Sequence, residues 1–332
     1  MLMREMGNSG IRASAIAMGA WAIGGGSWWG DNDDQLSINA IHAALDAGVN
    51  LIDTAPVYGF GHSEEVVGRA IKGRRDQVVI ATKCGLWWGS TDRGAYYFDR
   101  DGRTVYKTLQ PDSIREEVEI SLRRLGTDYI DLYQTHWPSL VPDAEPIAAT
   151  MECLMELKRQ GKIRAIGASN VNLEQVREYQ AHGILDAVQL RYSMLDRLIE
   201  GPLLDYCREQ NIAVLAHSPL EHGLLTGKIG MDREFSPGEL RGGKIWFAPA
   251  NRERVLKVLA GWSDLTAKYG CDLAQLVIAW TVSQPGMTYT LCGARKPDQV
   301  RDNVGATRLV LDAADMQRMR RDVEALGEPL PA

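Results

Sequence analysis

Short apolar runs without alternation recur along the chain, and each hands over to a stretch whose apolar residues return every three or four positions. The runs at 16–19, 49–53, 78–82, 129–134, 163–168, 187–190, 213–216 and 289–292 read as strands buried on both faces, the pattern of a parallel sheet. The stretches between them carry a helical period. In 113–126, Ile114, Val118, Leu122 and Leu125 make one stripe, Ser113 and Glu116 have capping-box spacing, and Gly126 stands where a C-terminal glycine belongs. In 33–48 the expected buried stripe is Leu36, Ile38, Ile41 and Leu45, ending at Gly48, and 172–183 starts at Asn172 and stops at Gly183. The interval 251–284 has room for two helices, and 313–326 for one more on the outside. Ahead of the first run, 3–14 places two short flanks around GNSG, a hairpin signature. Eight strands each followed by a helix predict an α/β fold: a (β/α)8 TIM barrel with an N-terminal β-hairpin and additional C-terminal helices, as one domain over 1–332.

Two connections exceed the usual length of such loops: 21–33 (WAIGGGSWWGDND) and 84–112. Both follow strands, so a barrel puts them on its C-terminal rim, where barrel enzymes keep their active sites. The exits of the second, third and fourth strands read NLIDTAPVYG, VVIATKCG and LYQTHWP. They bring Asp53, Lys83 and His136 to the same rim, with Tyr58 in the loop that Asp53 begins. A strand-end lysine, a histidine or a turn tyrosine is by itself usually structural; four such groups converging on one rim point to chemistry. The set suits proton transfer coupled to carbonyl reduction. A phenol is a weak acid at neutral pH, and a nearby ammonium is expected to lower its pKa. Lys83 supplies that charge, Asp53 holds Lys83 in place, and His136 donates to the carbonyl oxygen. No side chain donates hydride, so a nicotinamide cofactor is required. GGGSWWG lacks the spacing of a Rossmann fingerprint, and no HExxH or paired-cysteine cluster suggests a metal.

Through these segments the chain resembles the aldo-keto reductases almost end to end. DTAPVYG, ATKCG and DLYQTHWP are similar to the segments that carry that family's tetrad, which falls on Asp53, Tyr58, Lys83 and His136. The resemblance implies the (β/α)8 fold and an extended NADPH across the C-terminal rim. Through GASN and the sixth strand it implies that Ser169, Asn170 and Gln189 hold the nicotinamide carboxamide. HSPLEHGLLTGK is similar to the seventh-strand segment, with His217 where an aromatic ring usually stacks, followed by Ser218 and Leu220. LCGARKPDQVRDN departs from the best-known branch and looks like a bacterial GARKP variant, to which Gly293 belongs. Arg295 and Lys296 become the candidates for a 2′-phosphate, and Gln299 and Asn303 for the adenine side. NADPH is preferred, with NADH left open. Some proteins similar to this family are cofactor-binding regulatory subunits of potassium channels. Against that reading stand the short N-terminal stretch and the four tetrad residues.

The rim loops also carry Trp28, Trp29, Trp87, Trp88, Tyr96 and Tyr97 among Asp31, Asp92, Arg93 and Arg103, and Trp137 adjoins His136. Ring faces beside hydrogen-bonding charges suit a sugar-like aldehyde or ketone, so the five tryptophans are expected at the substrate. Composition removes other classes. Net charge is −6 with basic residues scattered, which is no nucleic-acid footprint. No apolar run reaches membrane length, and the five cysteines are unpaired in spacing, so a cytoplasmic protein with reduced thiols is expected. The sequence leaves open a homo-oligomer.

Overall fold

In the computed structural model, which describes residues 1–90, 93–139 and 146–331, the chain enters through an antiparallel hairpin of β1 (Met3–Glu5) and β2 (Arg12–Ser14). The next strands are β3 (Ile16–Gly19), β4 (Leu51–Asp53) and β5 (Val79–Cys84). An antiparallel three-stranded sheet then interrupts the series: β6 (Leu86–Trp87), β7 (Ala95–Arg100) and β8 (Arg103–Lys107). The series resumes with β9 (Ile130–Thr135), β10 (Ile163–Ser169), β11 (Ala187–Arg191), β12 (Ala213–His217) and β13 (Tyr289–Gly293). Strands β3, β4, β5 and β9 to β13 close a parallel barrel, neighbour to neighbour in chain order. The expected (β/α)8 barrel with its hairpin is the observed fold.

The period of two along each strand sorts side chains between two cores. Leu51, Val79, Ala81, Leu132, Ala165, Ala187, Leu215 and Leu291 point into the barrel, where the hairpin's Met6 and Ile11 join them and plug its N-terminal end. Ile52, Ile80, Tyr133, Ile166, Val188 and Val214 point outward onto the helices. Continuing the inward parity by two residues toward the C-terminal end reaches Asp53, Lys83, Gln134, Gln189 and His217, and by four residues from Ala165 reaches Ser169. The barrel interior is thus apolar below and polar at the top. Gly167 is part of this packing: a Cβ there would lie 2.8 Å from Cγ of Gln134, so only glycine lets that glutamine cross the interior.

Several local expectations differ from the structure. The helix Pro111–Leu125 begins two residues before the expected cap, because Pro111 already has the φ of a first helical residue. Ser113 therefore sits inside the helix and donates to Glu117 instead of capping. In the helix Asp34–Asp46 the buried residues are Ser37, Ala40, Ile41 and Ala44, and Leu36 is exposed. Helices His62–Ile71 and Pro297–Gly305 flank it closely, and small residues permit that approach. The interval 251–284 holds three helices, Pro249–Ala260, Ser263–Tyr269 and Leu273–Val282, where two were expected. Asn172 does cap its helix, and its own backbone N–H donates in return to Oε1 of Gln175. Among the described residues no helix is long and apolar enough to cross a membrane.

Candidate active site

Lys83 lies wholly out of solvent near the top of β5, and its ammonium has three acceptors. It donates to Oδ1 of Asp53 at 2.7 Å, to the carbonyl oxygen of Thr54 at 2.8 Å and to Oη of Tyr58 at 3.2 Å. All three partners come from the β4 exit, so one strand end and its loop surround the cation carried by the next strand. Asp53 is satisfied on its other oxygen, where Nε2 of Gln189 donates at 2.7 Å and Nε2 of Gln134 at 3.2 Å. The network therefore ties β4, β5, β9 and β11 together across the barrel mouth. His136, one residue past β9, sets its ring edge-on to that of Tyr58, with centroids 5.9 Å apart.

The electrostatics follow from burial and from this pairing. Burial opposes the charge on Lys83, but Asp53 and Tyr58 outweigh it and raise its pKa above the ordinary lysine value. For Tyr58, burial raises the pKa, the Lys83 charge lowers it and the Asp53 charge raises it again, for a net rise. This corrects the expected lowering. An ammonium whose charge is largely cancelled by a carboxylate 2.7 Å away cannot offset the desolvation of a phenolate. Tyr58 is consequently a protonated phenol throughout the neutral range. Burial, reinforced by the positive charges of Lys83 and Lys107, holds His136 well below the usual histidine range, so its imidazole is neutral.

Tyr58 and His136 stand on the wall of a cavity of about 550 Å³ that extends over the barrel mouth past Asn170 and His217 to Arg295 and Asn303. Its position fits a dinucleotide laid across the rim, with one end at Tyr58 and the other at the β13 exit. Residues 15–323 match the model of the Aldo/keto reductase family. The chain belongs to that family. It is similar to the NADH-specific methylglyoxal reductase of Escherichia coli (strain K12), at 48% identity over 97% of this chain and 98% of that one. It is similar in structure to the glycerol dehydrogenase AKR11B4 from Gluconobacter oxydans, with TM-score 0.87, 38% identity and 99% and 97% of the two chains covered. An aldo-keto reductase from Klebsiella pneumoniae solved in complex with NADPH superposes with TM-score 0.71 at 27% identity, over 97% and 95% of the chains. This chain is an oxidoreductase of the aldo/keto reductase family that uses a nicotinamide cofactor.

The remaining rim residues of the reductase fall into two groups. Ser169, Asn170, Gln189, His217, Ser218, Leu220, Gly293, Arg295, Gln299 and Asn303 all line the cavity. Several are already engaged. Asn170, at positive φ, donates to the carbonyl of His136 at 2.9 Å, and the Oε1 of Gln299 accepts from the backbone of Arg295 at 2.8 Å. Arg295 reaches across to the first rim loop and donates to the carbonyls of Trp29 at 3.3 Å and Asp31 at 3.1 Å. Lys296 is exposed and lies off the cavity wall.

Of the five tryptophans expected at the substrate, Trp28, Trp29 and Trp137 line the cavity and Trp87 and Trp88 do not. Trp87 is buried, with Nε1 donating to Ser90 at 3.1 Å, and Trp88 packs edge-on against Phe60. The reason is the small sheet β6–β8: Leu86 of β6 lines the cavity, so alternation sends Trp87 to the opposite face, and Trp88 lies past the end of the strand. Asp92 lies outside the described residues. Sequence reasoning missed Trp21, which stacks on Tyr58 with centroids 5.9 Å apart, and His222, held at positive φ against Trp21. Trp21 opens the first rim loop directly after β3, so its position was a usable signal; no local pattern marks His222.

Proposed function

We propose that this reductase converts an aldehyde or ketone to an alcohol, with Tyr58 handing its proton to the carbonyl oxygen. The observation that carries the reading is the 3.2 Å contact between Lys83 and the Tyr58 hydroxyl inside a fully bonded network on the cavity wall. The cofactor supplies the hydride. Tyr58 keeps its proton until an oxygen that is becoming negative accepts it, and Lys83 stabilises the phenolate left behind. Asp53 holds Lys83 against Tyr58 and keeps it charged. The neutral ring of His136 donates a hydrogen bond that orients the carbonyl without adding a charge beside Lys83. Ser169, Asn170, Gln189 and His217 would hold the nicotinamide end, and Arg295, Gln299 and Asn303 the adenosine end.

The substrate reading is a sugar-like carbonyl compound, small enough to sit among Trp28, Trp29 and Trp137. It is supported by flat rings adjoining polar groups on one wall. The basic pair Arg295 and Lys296 motivates NADPH as coenzyme. A second reading, NADH, is favoured by the commitment of Arg295 to two backbone carbonyls and by Asp302, whose carboxylate borders the same end of the cavity. The name of the 48%-identical relative points the same way. Fluorescence titration with both coenzymes, followed by turnover of a panel of aldehydes, tests all parts: failure to bind either coenzyme would end the reductase reading. A strong preference for plain aliphatic aldehydes over sugar aldehydes would end the substrate reading.

A further inference from the structure

Lys107 ends β8 in the small rim sheet, and its side chain has an unusual setting for a cation. It is 7% exposed, yet among the described residues no oxygen acceptor and no carboxylate stands within bonding range of its ammonium. Its neighbours are two ring faces: Nζ lies 4.0 Å from the ring centre of Tyr97 and 4.5 Å from that of Trp137. Both rings line the cavity, and Trp137 follows His136 directly. Buried cations are normally paired, and Lys83 at the same mouth is. Ring quadrupoles hold an ammonium in place but accept none of its three N–H bonds in line. A positive charge that no described residue compensates therefore stands against two rings of the cavity wall, Lys107 itself not being one of the lining residues.

We propose that Lys107 recognises an anionic group, a carboxylate or a phosphate, carried by the carbonyl substrate. The proposal rests on the reading of Tyr58 and His136 as the pair that meets the carbonyl. With the carbonyl there, the rest of the molecule lies along Trp137 and Tyr97, and an anionic oxygen at that position completes the bonding of the ammonium. A sugar acid or a sugar phosphate satisfies both this charge and the ring-lined wall. Recognition is a binding effect and involves no covalent step.

The test uses two matched pairs of substrates on the full-length enzyme: succinic semialdehyde against butanal, and glyceraldehyde 3-phosphate against glyceraldehyde. The wild-type protein should favour the charged member of one pair by roughly ten-fold or more in kcat/KM, as a charged hydrogen bond provides. The pair that shows it distinguishes carboxylate from phosphate. Lys107→Met should collapse that ratio, mainly through KM, and Lys107→Arg should keep it. A wild-type ratio near one for both pairs overturns the proposal. So does an equal loss on charged and neutral substrates in Lys107→Met, which would mean that the cation only props up Tyr97 and Trp137. Quenching of tryptophan fluorescence by succinate and by glycerol 3-phosphate reads binding without turnover. Quenching that Lys107→Met abolishes supports the anion site even in a protein that reduces nothing, and absence of quenching by either anion overturns it. Reduction of butanal reports separately on the reductase reading.

Discussion

The ammonium of Lys83 and the carboxylate of Asp53 meet at 2.7 Å with neither side chain more than 4% exposed. A pair this buried does more for position than for stability, because desolvating both ions offsets most of their attraction. Its value lies in holding one donor on the Tyr58 hydroxyl. Removing a single partner is a different matter, since the other charge is then stranded.

Lys83→Met should accordingly lose carbonyl reduction and also destabilise the fold by about 3–5 kcal/mol. Adding Asp53→Leu to it should restore much of the lost stability without restoring turnover. Urea unfolding midpoints of the single and double variants check this, and a double variant weaker than Lys83→Met would show that the pair contributes net stability.

Tyr58→Phe removes the transferable proton and little else. Turnover of aldehydes should fall by about 10²–10⁴-fold, while coenzyme affinity measured by fluorescence titration stays near the wild-type value. Near-normal turnover in this variant would transfer the proton-donor role elsewhere.

Glu117 links stability to pH. Its carboxylate is buried against the backbone N–H of Gly85, with oxygens at 3.0 and 3.1 Å, and burial pushes its pKa up to about 8. The unfolded chain binds a proton there only below about 4.5. Between those values the native state holds the extra proton, so stability declines as pH rises from about 4.5 to about 8 and levels off above. Glu117→Gln, which keeps an acceptor for Gly85 and carries no charge, should be more stable than wild type at pH 8.5 and equal to it near pH 4.5. Unfolding midpoints that differ by the same amount at both pH values would contradict the assignment.

Arg295 ties the β13 exit to the first rim loop through the carbonyls of Trp29 and Asp31. Arg295→Ala should loosen that cover, and stopped-flow fluorescence should then record coenzyme leaving several-fold faster. An unchanged rate would place the tie outside the path of release.

Trp87 and Trp137 should part company under alanine substitution. Trp87→Ala empties a buried site and should cost about 3–5 kcal/mol, with KM little altered. Trp137→Ala should act first on KM. Thermal unfolding and steady-state kinetics on both variants decide this, and a large KM effect from Trp87→Ala would return that ring to the substrate.

Much of this site was legible in one dimension because parallel strands impose a direction. Once 49–53, 78–82 and 129–134 are strands of one barrel, chain connectivity alone sends Asp53, Lys83 and His136 to the same rim, and side-chain parity points Lys83 and Gln189 inward. These are short-range rules, repeated at each strand, and a sequence displays them. The facing of Trp87, the bond that spends the guanidinium of Arg295 on a loop more than 260 residues away, and the ring-bound isolation of Lys107 depend on how the rim segments fold over one another. So does the direction of the Tyr58 pKa, because desolvation and the cancelling charge of Asp53 act through space and depth, which residue order does not encode. The sequence by itself determined which chemical groups arrive at the barrel mouth; only the tertiary structure decided which of them face the cavity and which are already satisfied by a neighbour.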